Sequence, residues 1–172
     1  MLILITRHGK AKDDSPTGRD EDRPLAGRGR RQSEHLATEL AARDLMPDTI
    51  LASGHVRAWD TATIIGASIS RTPRREPALE LGHTSADVIS IIEAVRARSG
   101  SGGGGGSGGR GALMLVGHNP QLEFLATVLL TGPASRGAGP SLRTGECLVI
   151  DVDPDGLVAA GRLVASIRLD DD

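Results

Sequence analysis

The chain has 172 residues, 38% of them hydrophobic, with 20 Lys plus Arg against 22 Asp plus Glu, a formal net charge of -2. That length suits one domain, residues 1–172, with a real core, and near-balanced charge argues against a nucleic-acid-coating protein, which carries a basic excess to displace counterions. With no Tyr, one Trp and one Phe, base stacking is nearly excluded; Cys147 as the single cysteine leaves no internal disulfide, which fits a reducing, cytoplasmic setting.

Leu2 to Thr6 is a short aliphatic run ended by polar residues, the pattern of a strand buried on both faces. It is far below the ~18 to 20 apolar residues of a membrane span, and no other run approaches that length, so no membrane partner is expected. No basic region precedes it, unlike a secretory signal. Residues 10 to 24 are charged and hold Pro16, Gly18 and Pro24, which predicts an exposed, irregular segment. From Gly29 to Ala42, Leu36, Ala37, Leu40 and Ala41 recur at helical spacing. Thr49 to Ala52 reads as a second buried strand and Val56 to Ser68 as a second helix.

After the Pro73 to Pro77 break, Val88, Ile91, Ile92 and Val95 predict a third helix over 86–98, with Ser85 as its N-cap. Residues 99–111 are a Gly/Ser tract that reads as a flexible loop within the domain. Ala112 to Val116 supplies another aliphatic strand, and Pro120 to Leu130 a fourth helix. Residues 146–152 and 158–168 read as a closing strand pair joined by the Asp153-Pro154-Asp155-Gly156 turn. This alternation predicts an α/β fold, a three-layer α/β/α sandwich with a mostly parallel central sheet.

Three motifs fall at strand ends, where such sheets place their ligands. They are Arg7-His8-Gly9 after the first strand, Ser53-Gly54-His55-Val56-Arg57 after the second, and Gly117-His118-Asn119-Pro120 after the strand at 112–116. Two His and two Arg converging on one rim suit an oxyanion, because a guanidinium offers forked donors matched to phosphate. Asn119 is a favoured N-cap and Pro120 a favoured first helical residue, which sets His118 beside a helix N-terminus. Neither a P-loop signature nor a carboxylate cluster of metal-binding spacing is present, so no metal and no cofactor are expected.

Taken with Arg23-Pro24-Leu25, Gly29, Ala58 and Thr61-Ala62, these motifs stand in the order of the histidine phosphatase superfamily, which the sequence resembles over residues 2 to about 130. Within it the resemblance is to the small SixA-like phosphohistidine phosphatases. It implies a phosphoglycerate mutase-like fold, His8 as a transiently phosphorylated nucleophile, and Arg7, Arg57 and His118 as holders of the phosphoryl group. Glu80 is the candidate general acid it implies, with His83 and Asp87 as alternatives. Gly9, Lys10, Ser53, His55 and Asn119 are candidate substrate-binding residues; His35 reads as a surface residue. The related mutases and sugar phosphatases usually roof the pocket with an insertion, and little beyond residues 70–84 stands in that place here. An open pocket suits a phosphorylated side chain on a folded protein. The expected activity is a metal-independent phosphatase acting on protein phosphohistidine. The alternatives are a small-molecule phosphomonoesterase and a non-catalytic phosphate-binding module.

Overall fold

The computed structural model describes residues 1–100, 111–132, 139–153 and 156–169. Strands β1 (Leu2–Arg7), β2 (Thr49–Ala52), β3 (Arg74–Arg75), β4 (Ala112–Gly117), β5 (Cys147–Val152) and β6 (Gly161–Ile167) form one sheet in the order β3-β2-β4-β1-β5-β6. The pairs β1/β4, β2/β4 and β2/β3 are parallel, while β1/β5 and β5/β6 are antiparallel. Helices α1 (Gly27–Ala42), α2 (Val56–Ser68), α3 (Ser85–Gly100) and α4 (Gln121–Thr131) complete the three-layer α/β/α sandwich.

The two cores follow from the alternation of side chains along each strand. Ile3 and Ile5 of β1 pack with Leu113 and Leu115 of β4, Val88 and Ile92 of α3, and Leu122 and Leu125 of α4. Leu4, one residue out of phase, packs with Met114, Leu36 and Leu40 of α1, and Ala58 and Ile65 of α2. Covering both faces explains the aliphatic runs, each such side chain contributing about 1.5–3 kcal/mol on burial. Since β1, β2 and β4 are mutually parallel, their C-terminal ends lie on one rim of the sheet.

Some local expectations are corrected. The two-residue β3 was not foreseen, nor were the 3-10 turns Asp20–Asp22 and Pro77–Leu79. Asn119 is not the N-cap of α4: that helix begins at Gln121, Pro120 precedes it, and the Asn119 side chain is drawn off to a loop carbonyl, donating from Nδ2 to Leu142 O at 2.8 Å. Most of the tract at 99–111, and Pro154 and Asp155 of the expected turn, fall outside the described residues. Among the described residues no helix is long and apolar enough to cross a membrane.

Candidate active site

The turn that leaves β1 is held by the neighbouring strand. Arg7 pairs with Gly117 in register, and His8 N donates to Gly117 O at 3.2 Å. The His8 ring is 9% exposed, with Nδ1 2.8 Å from Gly9 O and Nε2 3.3 Å from Arg57 Nε. A carbonyl can only accept, so Nδ1 carries the proton; Nε2 is then a lone pair that accepts from the guanidinium. Both contacts call for the same tautomer. Burial, together with the positive charges of Arg57, Arg7 and Arg23, pushes the His8 pKa down to about 4, so the ring is neutral at neutral pH. Gly9 N donates to Thr61 Oγ1 at 3.0 Å, and Thr61 donates onward to Arg57 O at 2.8 Å, which ties the turn to α2. A Cβ on Gly9 would lie 2.6 Å from Gly29 O, so α1 can approach this closely only against glycine.

His118 stands at the end of β4, its ring centroid 5.0 Å from that of His8 and 4.8 Å from that of His55. Ser53 Oγ, at the end of β2, accepts from His55 N at 3.2 Å and lies 2.9 Å from His118 Nε2. Beyond the bond from His55 N the hydroxyl retains one lone pair and its own proton, so it can meet Nε2 as acceptor or as donor. His118 Nδ1 is a buried atom with no hydrogen-bond partner. Burial and the surrounding positive charge hold the His118 pKa down at about 2.

Arg57, on the first turn of α2, is 5% exposed. Its Nη1 donates to Asp20 O at 2.7 Å and its Nη2 to Asp20 Oδ2 at 2.8 Å, while Arg23 Nη1 holds the other carboxylate oxygen at 2.9 Å. Arg23, and then Arg57, keep the Asp20 carboxyl at about 2, well below its ordinary value. Arg7 differs: Nη1 donates to Leu142 O at 2.9 Å, and the buried Nε has no partner. Arg7, His8, Arg57 and His118 line one cavity of about 370 Å³ together with Asp20 and Arg23. A neutral imidazole lone pair and three guanidinium groups therefore share one space. That arrangement suits a tetrahedral oxyanion next to a nucleophile.

Lys10 and Asn119 also line this cavity, whereas Glu80 does not. Glu80 closes the Pro77–Leu79 turn and sits against Gly54, where a Cβ would meet its Oε1 at 2.6 Å. His83 is exposed, with Nδ1 3.9 Å from Asp87 Oδ2. Asp87 accepts from Thr84 N and Oγ1, each at 2.8 Å, at the start of α3. Neither lines the cavity. His55 precedes α2 half-buried, and His35 meets Arg168 O at 3.2 Å. Sequence reasoning did not single out Asp20 or Gln32. Gln32 Oε1 accepts from Lys10 N and its Nε2 donates to Thr144 O, both at 2.9 Å. Its buried position, one helical turn before Leu36, was the available signal.

A profile of the Histidine phosphatase superfamily (branch 1) matches residues 3–81, the segment that carries Arg7, His8, Ser53 and Arg57. Over that segment, a little under half of the chain, the sequence is similar to the histidine phosphatase superfamily. No curated protein matches it in sequence. Its histidine phosphatase fold superposes on solved structures over nearly the whole chain. The protein histidine phosphatase SixA complexed with tungstate is 19% identical at a TM-score of 0.80, covering 98% of this chain and 97% of its own. A SixA phosphohistidine phosphatase structure from Agrobacterium tumefaciens is 24% identical at 0.72, covering 96% and 97%. The mycobacterial glucosyl-3-phosphoglycerate phosphatase with inorganic phosphate is 19% identical at 0.71, covering 95% of each chain.

Proposed function

We propose that this protein is a phosphatase that works through a phosphohistidine on His8 and takes protein phosphohistidine as its substrate. The observation that carries this reading is the His8 tautomer, with Nδ1–H donated to Gly9 O and the Nε2 lone pair beside the Arg57 guanidinium. In the first step Nε2 attacks phosphorus in line, the bond from phosphorus to the leaving nitrogen breaks, and the departing imidazole takes that electron pair and a proton from solvent. In the second, water attacks phosphorus, the P–Nε2 bond breaks, and inorganic phosphate leaves His8 neutral again. Arg7, Arg57 and His118 meet the charge on the equatorial oxygens, so neither metal nor cofactor takes part.

The choice of substrate is supported by the proton inventory. Asp20 is the one carboxylate among the described lining residues, and its two guanidinium partners keep it ionised; Glu80 stands outside the lining. A leaving imidazole departs without a placed donor, whereas an alkoxide relies on one for about 100- to 10000-fold. The fold it shares with SixA points the same way. A second reading, a small-molecule phosphomonoesterase, is favoured by the likeness to the mycobacterial glucosyl-3-phosphoglycerate phosphatase.

The test is turnover of a phosphohistidine protein, a phosphosugar and an aryl phosphate in the presence of chelator, with brief incubation to trap enzyme-bound phosphate. Acid-labile phosphate on His8, fastest turnover of the phosphohistidine protein, and no turnover by His8→Ala are the expected results. Substantial activity in His8→Ala would overturn the nucleophile. A preference for the phosphosugar, lost in Glu80→Gln, would transfer the assignment to the second reading.

A further inference from the structure

Ser53 follows β2 directly, is 0% exposed, and is not among the described residues that line the His8 cavity. A ligand in that cavity therefore meets His118, which does line it, rather than this hydroxyl. Ser53 Oγ has two hydrogen-bond partners among the described residues: His55 N, from which it accepts at 3.2 Å, and His118 Nε2 at 2.9 Å. Burial and the surrounding positive charge keep His118 neutral, so one of its ring nitrogens carries a proton and the other a lone pair. The direction of the bond to Nε2 follows from the groups that each choice leaves unpaired. If Nε2 carried the proton and donated it, the Ser53 proton would have no other acceptor among the described residues, and the lone pair on Nδ1, which has no partner, would be a second orphan. If Ser53 donates, its proton is satisfied at Nε2 and a single group, Nδ1–H, is left over. Buried polar groups without partners are costly, which favours the second choice.

We propose that Ser53 is a positioning residue that donates to His118 Nε2 and so holds the His118 proton on Nδ1, the ring nitrogen left to donate to a phosphoryl oxygen in the cavity. This role rests on the phosphatase reading and deepens it. In the opposite tautomer Nδ1 would offer a lone pair to the oxyanion, and repulsion would replace a hydrogen bond. His8 and His118 then share a tautomer and differ in its use. Gly9 O keeps the His8 proton on Nδ1 and frees Nε2 to attack; Ser53 Oγ occupies Nε2 of His118 and leaves its Nδ1–H for the negative charge of the group being transferred. Ser53, which the sequence grouped with the substrate-binding residues, thus acts through His118.

Two-bond proton–nitrogen NMR correlations on the 15N-labelled protein read the tautomer of each of the five His, and His118→Asn identifies the His118 signals by their loss. The wild type near neutral pH is expected to carry the His118 proton on Nδ1; a proton on Nε2 would overturn the proposal without recourse to any variant. In Ser53→Ala the His118 signals should move towards a mixture of both tautomers while those of His8 stay in place. On the best phosphate substrate that variant should lose about 10- to 100-fold in kcat, less than removal of the donor itself, with KM changed by less than about two-fold. Ser53→Thr, which keeps the hydroxyl, should restore the Nδ1–H state and most of kcat. An unchanged His118 tautomer in Ser53→Ala, or a changed tautomer with kcat intact, would overturn the positioning role. If no phosphate compound is hydrolysed, the phosphatase reading falls, while a His118 proton on Nδ1 in the wild type that is redistributed in Ser53→Ala would still uphold the bond from Ser53.

Discussion

The strand ends and the 10–24 segment face each other across the His8 cavity, and they hold their charged and polar groups by different means. His8, Ser53 and His118 stand just past the C-terminal ends of β1, β2 and β4 and are buried, the His8 ring oriented by Gly9 O and the His118 ring meeting Ser53 Oγ. Asp20 and Arg23 come from a loop turn, are 52% and 29% exposed on their side chains, and are oriented by each other and by Arg57. In the buried group one tautomer is set by geometry and resists salt. In the exposed group attraction between charges does the positioning, and solvent ions screen it.

Changes that remove donors from the buried side should have the largest effects. Arg57→Ala and His118→Ala are each expected to lower kcat by about 100- to 1000-fold, the usual cost of losing one transition-state donor. Arg23→Ala, on the exposed side, should cost only a few-fold. Steady-state kinetics on one substrate give all three, and equal losses would erase the distinction.

Acid should be the next largest challenge. In the unfolded chain His8 takes up its proton near the ordinary value of 6.5, and in the folded protein only near 4. Between those values the unfolded state holds more protons, so stability contributed by neutral His8 is fully present above 6.5 and is lost as pH falls towards 4, by about 3 kcal/mol in all. His118, whose pKa is also lowered, acts in the same direction. Urea midpoints across this range should show the decline, and His8→Asn should flatten it. An unchanged slope in that variant would place the acid sensitivity elsewhere.

Gly9→Ala tests the packing behind His8. Its Cβ would lie 2.6 Å from the Gly29 carbonyl oxygen, a backbone atom that cannot step aside without moving α1, so a loss of about 1–3 kcal/mol is expected from denaturant titration. The smallest effect belongs to Asp20→Asn. Freeing Arg57 from a carboxylate should tighten inhibition by inorganic phosphate about three-fold at low salt, with the gain fading at high salt. No change at any salt concentration would make Asp20 a bystander.

Much of the fold was legible because aliphatic runs and helical spacing register burial directly. The ends of β2 and α2 agree residue for residue with that pattern. Strand β3 was not legible, since Arg74-Arg75 is exposed and two residues carry no alternation. Asn119 was misread because capping preference is a local property, while the carbonyl that takes its amide belongs to Leu142, 23 residues away. His8, Arg57 and His118 stood out as motif residues, and the structure brings them into one cavity. Asp20 did not, for a carboxylate in a charged loop looks like any solvated one until Arg57 is found beside it.

The contacts around Gln32 also bear on when the site comes into being. Its amide joins Lys10 N–H to Thr144 O, Arg7 reaches Leu142 O, and Gly145 N donates to the carbonyls of Arg7 and His8. Every one of these ties crosses to the 142–145 segment, and the bond from Gly145 N to Arg7 O spans 138 residues of chain. Contacts so distant in sequence pay their loop-closure entropy last. The Arg-His-Gly turn, although it precedes that segment in the chain, thus acquires its working shape only after the segment leading into β5 has docked. A growing chain that has not reached residue 145 carries His8 without the ties that hold its turn.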